Sequence, residues 1–192
     1  DPLVSAYQKV YEAEEAELGR NCSIKVTGDY NPQYYISADR LVDMPQGAEM
    51  TYRFEVPADG KYRLDFIYGN ATGTERNNMS RHRPQNINQT FSLDGGKAEE
   101  LVMENTLLGS MTGIKTQYAD LTAGTHTVKI KTAGNGSITH DSLTVTWYGA
   151  KDQAVKTVNQ RYEAEHADFN ILLANKDTKV CTQTALSGYS SN

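Results

Sequence analysis

The stretch Met50-Thr51-Tyr52-Arg53-Phe54-Glu55-Val56-Pro57-Ala58-Asp59-Gly60-Lys61-Tyr62-Arg63-Leu64-Asp65-Phe66-Ile67-Tyr68 decides the fold class. On each side of Pro57-Ala58-Asp59-Gly60 the apolar residues recur every second position, the period of a strand with one buried face, whereas a helix would show a period of 3.6. The four residues between are a turn by composition, so the stretch is expected to form a hairpin. The same alternation recurs outward from it. Phe91 and Leu93 lead into Asp94-Gly95-Gly96, with Leu101 and Met103 on the far side. Val128 and Ile130 follow Ala123-Gly124, and Leu143, Val145 and Trp147 alternate with Ser142, Thr144 and Thr146. Short strands separated by turn residues, with no long amphipathic helix among them, predict an all-β chain folded as an antiparallel β-sandwich of jelly-roll type.

Composition narrows the function. The 192 residues carry 24 acidic and 19 basic side chains, a net charge of -5. That balance disfavours nucleic acid and a polybasic membrane surface as partners. The longest apolar run, Ile171-Leu172-Leu173-Ala174, is far short of the roughly 20 residues that cross a bilayer. Twelve tyrosines against four phenylalanines and one tryptophan supply rings with a polar tip, suited to holding a polar ligand. Cys22 and Cys181 either pair as a disulfide or stay as two thiols, and the sequence does not choose between these.

Tyr11-Glu12-Ala13-Glu14-Glu15-Ala16-Glu17-Leu18 resists the strand reading, being made of good helix formers that stop at Gly19, yet it lacks the apolar stripe a short helix needs. It is also restated as Tyr162-Glu163-Ala164-Glu165-His166-Ala167-Asp168-Phe169. An internal repeat about one domain apart predicts tandem modules. The expected organisation is a linker over 1–9, a sandwich over 10–149, a linker over 150–161, and over 162–192 the start of a second similar module or an appended strand segment.

Tyr-Glu-Ala-Glu at the start, Ala58-Asp59-Gly60-Lys61-Tyr62 leading into Phe66-Ile67-Tyr68-Gly69-Asn70, then Asp94-Gly95, Leu121-Thr122-Ala123-Gly124-Thr125-His126-Thr127-Val128 and Asp141-Ser142-Leu143-Thr144-Val145 form an ordered set. In that order and spacing, over about residues 10–149, they resemble carbohydrate-binding modules of families thirty-five and six. The resemblance implies a non-catalytic β-sandwich that binds an oligosaccharide or polysaccharide, covalently linked to the catalytic domain of a secreted glycoside hydrolase or polysaccharide lyase. It also implies a structural calcium ion. The implied metal ligands are Glu12, Glu14 and Asp141, with carbonyl donors from residues 27–30. On this reading the Glu-Ala-Glu segment is a strand, which sets Glu12 and Glu14 on one face with α-carbons roughly 6.6 Å apart. Like charges so placed repel unless a cation lies between them, and calcium takes six to eight oxygen ligands.

The resemblance places the sugar in loops at one end of the sandwich. Residues 69–84 form a long polar loop there, in which Asn70, Arg76, Asn77 and Asn78 offer donors and acceptors for hydroxyls. The tryptophan that many members place before the Leu121 strand is absent, since Leu108-Gly109-Ser110-Met111-Thr112-Gly113 stands there. The stacking platform is then Tyr30, Tyr34, Tyr35 or Met111, or there is none, with Tyr35 and Met111 taken as the candidates. The asparagine expected just before the last-strand aspartate is replaced by Thr139-His140. Arg76, Arg81 and Arg83 cluster in an acidic chain, and a forked guanidinium matches a carboxylate, so a uronic acid is one expected ligand.

Two other classes compete. A glycosidase needs two carboxylates about 5 to 9.5 Å apart, a crude distance that Glu12 and Glu14 satisfy, but one strand supplies both. No nucleophile elbow, zinc His-Glu-x-x-His or phosphate loop occurs. An adhesion or scaffold module binding protein suits a sandwich equally well. Sequons at Asn21, Asn70, Asn78, Asn88 and Asn135 matter only in a eukaryotic secretory pathway.

Overall fold

A computed structural model describes residues 6–26, 40–73, 83–106, 112–151 and 154. The chain divides into two compact units, Asp1–Gln153 and Ala154–Asn192, and every element described below belongs to the first. The strands are β1 (Gln8–Glu12), β2 (Glu17–Leu18), β3 (Ser23–Val26), β4 (Arg40–Pro45), β5 (Glu49–Val56), β6 (Gly60–Gly69), β7 (Ile87–Leu93), β8 (Glu99–Met103), β9 (Gly113–Leu121), β10 (Gly124–Thr132) and β11 (Ser137–Gly149). One antiparallel sheet runs β3-β4-β11-β6-β9, with β1 also paired to β11; the other runs β2-β5-β10-β7-β8. The expected antiparallel β-sandwich is therefore the observed fold.

The core is the set of inward alternating positions. Met50, Tyr52, Phe54 and Val56 of β5 face Tyr62, Leu64, Phe66 and Tyr68 of β6, and all eight are almost fully buried. Burying each such side chain is worth about 1.5–3 kcal/mol. Aromatic edges bridge the layers: Phe66 meets Phe91 at 5.9 Å and Tyr11 meets Phe54 at 6.0 Å, both edge-on.

One expectation is corrected. β5 and β6 do not form a hairpin; they lie in different sheets, and the turn between them carries the chain from one layer to the other. Period two says only that one face is buried, and two such strands satisfy it equally well by facing each other across the core. The hairpin expected at Asp94-Gly95-Gly96 is present, with Phe91 opposite Glu99 and Ile87 opposite Met103. Asp94 sits at a φ of 49°, in the left-handed region, which Asp tolerates better than most residues.

The Glu-Ala-Glu segment is corrected too. β1 ends at Glu12, Ala13–Glu15 make a single 3₁₀ turn, and β2 follows in the other sheet. Ala13 is completely buried; a larger side chain would not fit where the chain crosses between layers. Strand β1 itself starts at Gln8, so Gln8 and Lys9 are sheet residues.

His126 and His140 are structural. His126 Nδ1 lies 2.7 Å from Asp94 Oδ2 and Nε2 lies 2.7 Å from the Thr122 carbonyl, so both ring nitrogens face acceptors. Burial opposes its charge, but those two acceptors outweigh it and raise its pKa. His140 is fully buried, and burial pushes its pKa down to about 4. Gln89 donates to Thr132 Oγ1 at 3.0 Å, which leaves Gln89 Oε1 to accept from His140 Nε2–H at 3.0 Å. Thr132 in turn donates to the Met44 carbonyl, closing a polar thread through the core.

Candidate functional site

Two places bear on function: an acidic nest beside Tyr52, and the neck of the loops at one end of the sandwich.

The nest arises from a bulge. In β11 the pairing with β6 slips between His140 and Ser142, so Asp141 is the extra residue. A bulge re-aims the side chain it inserts, and here His140, Asp141, Ser142 and Leu143 are all buried in succession. Glu12 lies opposite Ser142 in the sheet, and the 3₁₀ turn brings Glu14 in beside it. Burial first, then the charges of Asp141, Glu12 and Glu14, hold the Tyr52 phenol well above its usual pKa. The charges of all three carboxylates thus act on one buried hydroxyl. Glu14 Oε2 and Tyr52 Oη are both shielded from solvent and have no hydrogen-bond partner, while Ser142 Oγ donates to Asp141 Oδ2 at 3.0 Å. Among the described residues no three His, Cys, Asp or Glu side chains form a ready-made metal ligand set; residues 27–30, expected to add carbonyls, lie outside the described residues. The chemistry nonetheless fits a hard cation: buried oxygens with unmet lone pairs next to crowded negative charge are what calcium neutralises. Of the pair compared with glycosidase carboxylates, Glu14 has its Oε2 shielded from solvent.

At the other site, residues 70–73 and 83–86 form a narrow neck. Arg83 N–H donates to Gly73 O at 2.8 Å and Gln85 N–H to Thr72 O at 3.0 Å. Gly73 has a φ of 74°, and a β-carbon there would stand 1.9 Å from the Arg83 carbonyl oxygen, so only glycine serves. Asn70 locks this neck to the end of β8. Its Nδ2 donates to Gln85 O at 2.9 Å and Met103 O at 3.0 Å, and its Oδ1 accepts from Thr72 N–H at 3.0 Å. Thr106 bonds the Asn70 backbone in both directions, and Asn105 Nδ2 reaches Thr72 O at 2.8 Å.

Asn70 is thus corrected from a sugar-contacting residue to an anchor, because its amide is fully buried and every polar atom of it is engaged. Its burial also removes it as a glycosylation acceptor. The neck ties residues 70–73 and 83–86 to residues 103–106. Arg76, Asn77, Asn78 and Met111, together with Tyr30, Tyr34, Tyr35 and Arg81, lie outside the described residues.

Sequence reasoning missed Tyr68, Glu104 and Lys115, which meet at the neck. Tyr68 Oη donates to Glu104, whose carbonyl O and Oε2 both lie at 3.2 Å, and Lys115 Nζ lies 3.0 Å from Glu104 Oε1. The only sequence signal was a pair of opposite charges flanking a glycine-bearing loop. Cys22 Sγ points at the Glu49 carbonyl, 3.0 Å away, and burial raises its pKa, so it is a quiet thiol. A shallow pocket lined by Tyr7, Lys9, Glu55 and Pro57 lies at the far end of the sandwich from the neck.

No protein-family model matches the chain, and no curated protein does. Solved structures do. A family 35 carbohydrate-binding module from Clostridium thermocellum superposes with a TM-score of 0.57 at 21% identity, over 72% of this chain and 98% of that one. The C-terminal CBM6 of LamC, a marine laminarinase from Zobellia galactanivorans, gives 0.55 at 16% identity, over 73% and 99%. A cycloisomaltooligosaccharide glucanotransferase from Paenibacillus sp., complexed with cycloisomaltoheptaose, gives 0.57 at 27% identity over 73% of this chain, which spans 18% of that enzyme. The chain has the β-sandwich of these carbohydrate-binding modules. Among its described residues no helix is long and apolar enough to cross a membrane.

Proposed function

We propose that this chain is a non-catalytic, calcium-dependent carbohydrate-binding module that delivers a secreted carbohydrate-active enzyme to its glycan. The observation that carries the reading is the likeness to an entire family 35 module, 98% of which is covered. Two features of the chain support it. The neck ties the described residues that flank 74–82 to those that precede 107–111 through one hydrogen-bonded base, and a recognition site needs such a fixed support. The nest of Glu12, Glu14 and Asp141 offers buried oxygen donors for calcium, which when bound supplies positive charge between β1, the 3₁₀ turn and β11. On this reading calcium acts on the ordering of that edge and takes no part in bond cleavage.

A glycan array or affinity gel run with and without calcium tests the proposal. Retention without turnover is the expected result. Release of product would make the chain an enzyme; no retention on any glycan would point to a protein-binding role and overturn the reading.

A further inference from the structure

We infer that Glu104 is a sugar-contacting residue and that the ligand is a neutral glycan bound through its hydroxyls. This deepens the carbohydrate-binding reading and rests on it.

Much structure is spent on this one surface carboxylate. Tyr68 is 2% exposed, in the core face of β6. Its hydroxyl nonetheless leaves the core, and its one proton lies between the backbone carbonyl and Oε2 of Glu104, both at 3.2 Å. A β-carbon on Gly113 would fall 2.6 Å from the Tyr68 ring, so the first residue of β9 has no side chain where that ring passes. Lys115, two residues on, fixes the second oxygen, and its own side chain is only 22% exposed. Asn105 and Thr106, directly after Glu104, are tied to the loop neck. Tyr68 and Lys115 thus hold one carboxylate whose side chain is 56% exposed, on a backbone that runs straight into the neck.

An ordinary surface ion pair needs none of this and contributes little. A carboxylate has about four lone-pair positions; one hydrogen bond from Tyr68 and one from Lys115 leave the others facing solvent at the root of residues 107–111. The Lys115 and Tyr68 contacts outweigh the opposing effect of burial and keep Glu104 ionised below the usual carboxylate range. A fixed, ionised acceptor beside the neck suits vicinal hydroxyls, and it repels a uronate. Lys115 is already neutralised by Glu104 and does not offset that repulsion.

Isothermal titration calorimetry in calcium tests this with isomaltotriose, laminaritriose and β-1,3-galactotriose as neutral probes and trigalacturonic acid as the acidic one. The full chain is expected to bind at least one neutral probe in preference to trigalacturonic acid. Glu104→Gln, which keeps the shape, is expected to weaken that binding roughly tenfold or more with an unchanged melting temperature. Lys115→Met, which frees the carboxylate to swing, is expected to cost less. Preference for trigalacturonic acid, a Lys115→Met variant that loses acidic binding, or a Glu104→Gln variant with full affinity overturns the inference while leaving carbohydrate binding intact. Binding to none of the probes overturns both.

Discussion

Gly60 opens β6 directly beneath the indole of Trp147, and replacing it by alanine should be among the most costly single-methyl additions in this fold. A β-carbon there would lie 1.9 Å from Cζ3 and 2.3 Å from Cη2 of that ring, and 2.9 Å from the Gly149 carbonyl. Its φ is not in the left-handed region, so alanine suits the backbone and the cost is one of space alone. The ring must give way, and it packs edge-on against Tyr62 at 5.4 Å. Overpacking of this kind costs about 1–3 kcal/mol, and losing the aromatic pair adds about 0.5–1.5 kcal/mol. For a domain of this size each kcal/mol lowers the melting temperature by about 2–4 °C. Trp147 is the only tryptophan in the chain, so its emission reports the displacement directly. Urea titration of Gly60→Ala, Trp147→Leu and the double variant completes the cycle. The double variant is expected to be markedly more stable than the two single costs added together, because the clash no longer exists. Gly60→Ala with unchanged emission and a loss under about 0.5 kcal/mol, the range of an ordinary surface change, would refute the reasoning.

Three further outcomes are expected. Chelation with EDTA lowers the melting temperature of the wild type, and Glu14→Gln abolishes that sensitivity; identical wild-type melts with EDTA and calcium would sink the metal reading. Asn70→Ala takes a partner from the Met103 carbonyl and the Thr72 N–H, while the Gln85 carbonyl keeps Asn105 Nδ2. The cost is about 1–3 kcal/mol for a buried group left unsatisfied, and glycan binding weakens without the ligand being touched; retained affinity and stability would show the neck to be dispensable. The His126–Asp94 pair stabilises between the two unfolded pKa values. The raised His126 pKa gives stability that is fully present below about 6.5 and lost as pH rises through its folded pKa, while the lowered Asp94 pKa gives stability lost as pH falls through its folded value. Wild type minus His126→Gln, measured by urea titration from pH 4 to 9, should peak on the acid side of neutrality; a flat difference would refute it.

What the sequence revealed and what it hid divide along physical lines. Alternation disclosed which side chains of β5, β6, β7, β10 and β11 turn inward, because burial on a pleated sheet has period two. It could not say that β5 and β6 face each other, since sheet membership is settled by the turn and by partners far along the chain. The Asp141 bulge was invisible for the opposite reason: consecutive buried residues at His140, Asp141 and Ser142 break the period, and nothing local announces it. The acidic pair was expected on one strand, but β1 ends at Glu12 and Ala13–Glu15 make a 3₁₀ turn, because the chain crosses between layers there. Asn70 shows the limit for polar loops. An amide that ties down carbonyls and an amide that greets a ligand are spelled with the same letter, and only the partners at 2.9 and 3.0 Å tell them apart.

The pairing of β1 with β11 has a mechanical consequence. The two strands are antiparallel, and Trp147 N–H donates to Tyr7 O where one begins and the other ends. A tether pulling on this module through its entry and exit points would therefore load that seam one hydrogen bond at a time, from Gln8 toward Glu12, as a zipper opens. Such peeling needs far less force than shearing a whole strand at once. The crack would run away from its starting point and meet the acidic nest before anything else, so a cation held by Glu14 and Asp141 would act as the rivet that stops it. The loop neck, built on β6 and β8, would stay intact while the edge frays.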